Sequence, residues 1–246
     1  MLQSIGELFL LFWRTLLALP LAWRQRRKVF EQFFEIGNAS LLMVCVLSFF
    51  IGAVIALQTG PVLVQNNLGS AVGGVVGIAI AKELAPVMMA ILIAGRIGSA
   101  MAAEIGSMRV YQEIDALRTM NINPVHYLVL PRLLAMALAL PMLVVFSILI
   151  AWMGGALVSD MNSNIGIPFQ AFFSDLREIV KPKDVANGVL KSFGFALIIG
   201  VVSCHQGLTT IGGPRGIGRS VTKAVVNSIV LIVIVDYVLT RIMIQW

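Results

Sequence analysis

The chain has 246 residues, of which 59% are hydrophobic and 12% charged, and its mean hydropathy is +0.93. Soluble domains carry about twice that charge fraction, so a water-soluble globular enzyme is excluded, as are disordered, collagen-like and coiled-coil chains. The net charge of +6 then reads as loop charge that orients a membrane protein, not as a nucleic-acid footprint.

Residues 1–37 are mixed. The apolar stretch 8–23 is interrupted by Arg14 and Pro20 and followed by Arg24, Arg26, Arg27 and Lys28. A signal peptide carries its basic residues before the apolar part and a small-residue cleavage site after it, so this segment is expected to remain on the protein. An amphipathic helix lying at the cytoplasmic interface fits it, with Trp13 and Trp23 at headgroup level. Residues 38–246 then read as one five-span domain, with spans near 39–64, 71–94, 133–158, 185–204 and 223–244. With the N-terminus inside, twelve basic residues fall on the inner side and five on the outer, and Lys82 falls within the membrane. That bias places the N-terminus in the cytoplasm and the C-terminus outside. Cys45 and Cys204 lie in or beside apolar runs and read as small packing residues, not as a disulfide framework or a metal site.

Three loops carry patterns. Between spans two and three, residues 103–121 place Val110, Ile114 and Leu117 on one helical face, with Arg109–Glu113 at i,i+4 and Asp115–Arg118 at i,i+3. This is either a solvated connector or a helix on which a cytoplasmic partner docks. Within the outer loop 159–184, Phe169, Phe172, Phe173, Leu176 and Val180 make an apolar face expected to rest on the outer membrane surface or under another subunit. The glycine-rich loop 205–222 approaches a phosphate-binding motif at Gly213, Gly218, Arg219 and Ser220. However, it has arginine in place of lysine and joins two membrane helices, so no nucleotide site is expected. Gly73–Gly77 and Gly95–Ser99–Ala103 are small-residue series that allow close helix approach, within the chain or between two copies.

Charges inside a span cost about 2.5–3.5 kcal/mol each and mark function unless they are paired off. Lys82, Glu83 and Asp236 qualify. Lys82 and Glu83 diverge by about 100° on a helix, so one is free to face a cavity while the other pairs with a neighbouring helix. Pro86 is expected to bend the span just after them. A charged spot beside a kink in an apolar cavity suits an amphiphile, and the alternative is a structural ion pair with Asp236 or Arg219. A proton-coupled carrier is disfavoured because five spans do not halve into an inverted repeat. An intramembrane enzyme is disfavoured because His126 and His205 both lie near cytoplasmic edges and no nucleophile motif is present. A non-transporting membrane scaffold for partner subunits stays open.

The runs KELAP at 82–86, AGRIGSA at 94–100, AEIGSM at 103–108 and QEIDAL at 112–117, with Asn123-Pro124, Pro131-Arg132 and DYVLT at 236–240, resemble the MlaE/YrbE permease family over residues 35–245. The resemblance implies an all-α membrane fold, with an interfacial N-terminal helix, five spans, a cytoplasmic coupling helix and an outer-side amphipathic helix. It implies the non-enzymatic permease subunit of an ABC-type phospholipid transporter in the bacterial inner membrane. In that family the subunit works as a homodimer with a cytoplasmic ATPase pair and a periplasmic MCE-domain protein, and in some complexes with a small STAS-domain subunit. No cofactor is implied for this chain, since ATP binds the partner ATPase. Lys82, Glu83, Leu57, Val64, Asp236 and Arg219 are the implied lipid-binding residues. Arg109, Glu113, Asp115 and Arg118, within a coupling helix at 103–121, are the implied ATPase contacts. Lys82 supplies a point charge, without the bidentate fork that an arginine would offer a phosphate.

Overall fold

The computed structural model describes residues 2–18 and 25–244, and these form eight helices and no strand. Amphipathic α1 is Leu2–Leu17, and α2 is Arg26–Gln65. The second span and the helical turns that follow it form α3, Gly69–Val110. Short α4 is Glu113–Thr119, α5 is Val125–Met161 and α6 is Phe169–Ile179. The last two are α7, Pro182–Leu208, and α8, Gly213–Ile244. Five of them (α2, α3, α5, α7 and α8) are long and apolar enough to cross a membrane, as the long apolar runs dictate.

Two boundaries differ from the sequence reading. Residues 26–37 do not belong to a separate interfacial segment with residues 1–18, because α2 already begins at Arg26. Its 40 residues extend about 60 Å, twice a bilayer's hydrocarbon core, so the basic first turns continue the span beyond the apolar layer. Residues 103–121 are not one helix either. α3 ends at Val110, Gln112 adopts a left-handed φ of 61°, and α4 starts afresh at Glu113. The Gln112 carbonyl accepts the Asp115 and Ala116 amides, which satisfies the first turn of α4. Trp23, Pro20 and Arg24 lie outside the described residues.

The chain divides into two units, residues 1–38, 90–140 and 193–246 in one and 39–89 and 141–192 in the other. In the first, Ile105, Ile114, Val129, Leu133, Val201 and Cys204 make a buried core, which Leu11 of α1 joins. The opposite side of α1 leaves Phe9, Leu10, Trp13 and Leu17 exposed, with the Phe9 and Trp13 rings stacked. This is the apolar face expected of an interfacial helix. α8 packs along residues 94–110 of α3.

In the second unit α2 and α5 cross at glycines. A Cβ at Gly52 would strike the Ala151 carbonyl, one at Gly154 would strike that of Phe49, and Ser48 donates to Ser147 at 2.8 Å. The apolar face of α6 is covered in part by the chain itself. Phe172 and Leu176 are buried against Gly73, Gly74 and Gly77 of the same chain's α3. The small-residue series at Gly73–Gly77 therefore serves an intrachain contact, and Trp152 donates to the Gly77 carbonyl at 3.2 Å. Asp175 of α6 sits over the start of α3. Its partial burial, with Glu178 nearby, raises its carboxyl above the ordinary range, and the Gly73 amide donating to it pulls the other way.

Candidate functional site

The charged spot of the second span is built on a widened turn. Residues Ile80–Leu84 form a π-turn in which the Ala85 amide donates to Ile80, five residues back. The next acceptor in that register, the Ala81 carbonyl, faces Pro86, which has no N–H to give. The proline ring also crowds the i−4 carbonyl, and a π-turn relieves both conflicts without breaking the helix. The bend expected at Pro86 thus takes the form of a local widening that carries Lys82 and Glu83.

Both charges find partners on α7. Lys82 Nζ lies 2.9 Å from Asp184 Oδ1, and Lys191 Nζ donates to Glu83 Oε2 at 2.7 Å. Asp184 and Lys191 are seven residues apart, two turns and about 10 Å along one helical face. Neighbouring side chains on α3 therefore reach in opposite axial directions to the two rungs. Gly188 lies between the rungs on that face, where a Cβ would collide with the Ala81 carbonyl oxygen and press on the Pro86 ring. Burial is asymmetric. The side chains of Asp184 and Lys191 are 12% and 3% exposed, whereas Lys82 and Glu83 are each 41% exposed. α7 supplies the fixed, desolvated half of each pair, and α3 supplies the accessible half. Asp184 is also held locally, since its Oδ2 accepts the Lys181 amide at 2.9 Å.

Neither Asp184 nor Lys191 is among the partners weighed from the sequence, and both Lys82 and Glu83 of α3 face α7. Asp184 read as part of a polar loop and Lys191 as an outer-side charge. The signal that could have revealed them is the Asp184–Gly188–Lys191 spacing of i, i+4, i+7. Of the other implied lipid contacts, Leu57 is exposed and Val64 half-buried, seven residues apart on α2. Exposed Arg219 and half-buried Asp236 are both on α8, about 25 Å apart along its axis, so these two do not form a single site.

The segment joining α3 to α4 is braced, and its pairing also differs from expectation. Arg109 reaches across the break to Asp115 at 2.7 Å instead of pairing with Glu113. Arg118 approaches the same oxygen at 3.4 Å, as its i,i+3 spacing anticipated. Ile114 is wholly buried in the core of its unit, with Leu117 packed against that core. Glu113, Arg118, Tyr111 and Met120 remain exposed. Nearby, His205 Nε2 lies 3.2 Å from Glu7 Oε2, tying α1 to the end of α7.

Comparison with known proteins places this geometry. The sequence pattern of the family described as Permease MlaE matches residues 29–242. A probable ABC transporter permease of Synechocystis is 37% identical over 89% of this chain and 83% of its own length. A probable ABC transporter permease of Rickettsia felis is 38% identical over 87% and 82%. The Arabidopsis thaliana chloroplastic protein named TRIGALACTOSYLDIACYLGLYCEROL 1 is 37% identical over 89% of this chain and 62% of its own length. The π-turn with KELAP, the AGRIGSA run and the α3–α4 connection all fall within the matched region, and this chain, a multi-pass membrane protein, belongs to the MlaE permease family.

Proposed function

We propose that the chain is the membrane subunit of an ABC-type transporter that moves phospholipid between the inner membrane and an MCE-domain protein on its outer side. In this reading it works as a homodimer, with its N-terminus in the cytoplasm beside a pair of ATPase subunits and, in some assemblies, a STAS-domain subunit. ATP is bound and hydrolysed by the ATPase, and this chain performs no covalent chemistry. The observation that carries the lipid reading is the two-rung ladder, in which Lys82 and Glu83 stand 41% exposed in an otherwise apolar span. A zwitterionic or anionic headgroup can exchange with these accessible halves, while Asp184 and Lys191 keep the turn in place. The plant relative, whose name is that of a galactolipid, agrees with an amphiphilic cargo.

Coupling follows from α4. A push on its exposed residues Glu113 and Arg118 passes through the Arg109–Asp115 pair and the buried Ile114 into the end of α3. The first widened turn that such a push meets in α3 is a second π-turn, Ala94–Gly98, where the helix changes register at low cost.

The test is mass spectrometry of lipid retained by the purified transporter. Phospholipid is expected with the native chain, and less of it with Glu83→Gln at equal folded yield. Absence of lipid from the native complex, or equal retention in the variant, overturns the assignment. Transport driven by a pH gradient without ATP would point to a proton-coupled carrier instead.

A further inference from the structure

A second polar site lies at the other end of the chain's charge pattern. Lys28 and Gln32 in the first turns of α2, with Tyr127, Pro131 and Arg132 at the start of α5, surround a cavity of about 230 Å3. The Lys28 ammonium is held 3.2 Å from the centroid of the Tyr127 ring, a cation–π contact that fixes it beside the cavity. Glu31 also lines the wall, but its carboxylate is taken up by Arg27 at 3.0 Å. The Arg132 side chain is 12% exposed. Its Nη2 donates to Glu104 at 2.8 Å, while Nη1 is buried with no acceptor. A buried guanidinium N–H left unmet is costly, and native structures leave few such groups. The cavity wall therefore carries the Lys28 ammonium, the Arg132 guanidinium, which shares its charge with Glu104 but leaves Nη1 without an acceptor, and the Gln32 amide, which also reaches Glu35, while Glu31 is paired with Arg27. That chemistry fits a phosphate, with its several acceptor oxygens and negative charge.

The surroundings say where the phosphate comes from. α1 packs on the first turn of α5, Val125–Val129, and its free side is apolar. Phe30 and Phe34, on the same stretch of α2 as Lys28, are 72% and 69% exposed. Apolar and aromatic surface next to a run of Arg26, Arg27 and Lys28 is the pattern of a helix end at the bilayer surface, where basic residues meet headgroups. We propose that this cavity binds the headgroup phosphate of an acidic phospholipid of the adjacent leaflet, as a resident lipid distinct from any transported one. The proposal stands whether or not Lys82 and Glu83 handle cargo.

Native mass spectrometry of the full-length chain, titrated with phosphatidylglycerol or phosphatidylcholine, tests it. Phosphatidylglycerol is expected to bind more tightly. Lys28→Gln should weaken it by about tenfold, the effect of one charge-assisted hydrogen bond, and leave phosphatidylcholine unchanged. Arg132→Lys keeps the charge but loses the fork, and should weaken phosphatidylglycerol as well, so the test survives if either variant folds poorly. Glu83→Gln should retain the preference. Equal affinity for the two lipids, or a preference that persists in both Lys28→Gln and Arg132→Lys, overturns the proposal. Displacement of phosphatidylglycerol by inorganic phosphate at matched concentration would make the cavity a free-anion site and overturn the lipid assignment.

Discussion

Gly188 shows how much one missing side chain can carry. It lets α7 lie against the Ala81 carbonyl that Pro86 leaves without a donor, and it sets the level at which Asp184 and Lys191 meet α3. Gly188→Ala is expected to lower stability by about 1–3 kcal/mol, the usual cost of overpacking, seen as a fall in melting temperature of the purified protein. Lys191 is the other sensitive position, because it is nearly inaccessible and its charge is compensated by Glu83. Removing Glu83 takes a close partner from a buried charge, and Glu83→Gln is expected to lower stability by about 1.5–3 kcal/mol, the contribution of one hydrogen bond to a charged group. Glu83→Gln with Lys191→Met should recover most of this in a double-mutant cycle, and additive losses would show that the pair is not coupled. Asp175 titrates in the opposite sense to a salt-bridged acid. Its raised folded value means that the folded state prefers the protonated form. Stability is therefore full below the ordinary carboxylate range and declines as pH rises through the raised value. Asp175→Asn should abolish that decline, so its melting temperature is expected to match native in acid and exceed it at neutral pH.

Among the elements, α4 was recognisable in sequence as amphipathic, but not as an independent helix. Its apolar positions Ile114 and Leu117 were identifiable from period alone, and both pack inward. The break at Gln112 was not, because a left-handed glutamine is uncommon and local sequence does not announce it. The break also redirects Arg109 from Glu113 to Asp115. Two kinds of variant can therefore be told apart. Ile114→Ala or Arg109→Ala should loosen the brace, leaving ATPase recovery in a pull-down nearly intact while uncoupling ATP hydrolysis from lipid. Glu113→Lys with Arg118→Glu alters the outward face and should reduce ATPase recovery itself. Equal recovery in all of these variants would remove α4 as the contact. The apolar face of α6 was equally legible by period, yet its partner was not. Periodicity shows that a face must be covered, and both a membrane and a glycine-lined helix can cover it.

For the whole molecule, the unresolved partner is that of α8. Only 11% of its most apolar stretch is buried, and Val226, Val230, Val233 and Tyr237 stand exposed. Lipid or a second copy must cover them. In the homodimer proposed above, cysteines introduced singly at Val230 and Val233 on the native background should give at least one strong crosslinked dimer in membranes. No crosslink along α8 would leave that face to lipid.

Hydropathy by itself determined that the chain is a five-span helical membrane protein. A bilayer cannot satisfy open backbone, so long apolar runs must be helices, and their number follows from length. The same economy of charge singled out Lys82 and Glu83. Tertiary structure alone decided what those charges do. Their partners lie more than a hundred residues away on a helix whose relevant face is set by one glycine and a π-turn. Such a pairing depends on rotation and register between helices, and the composition of a span carries no information about either.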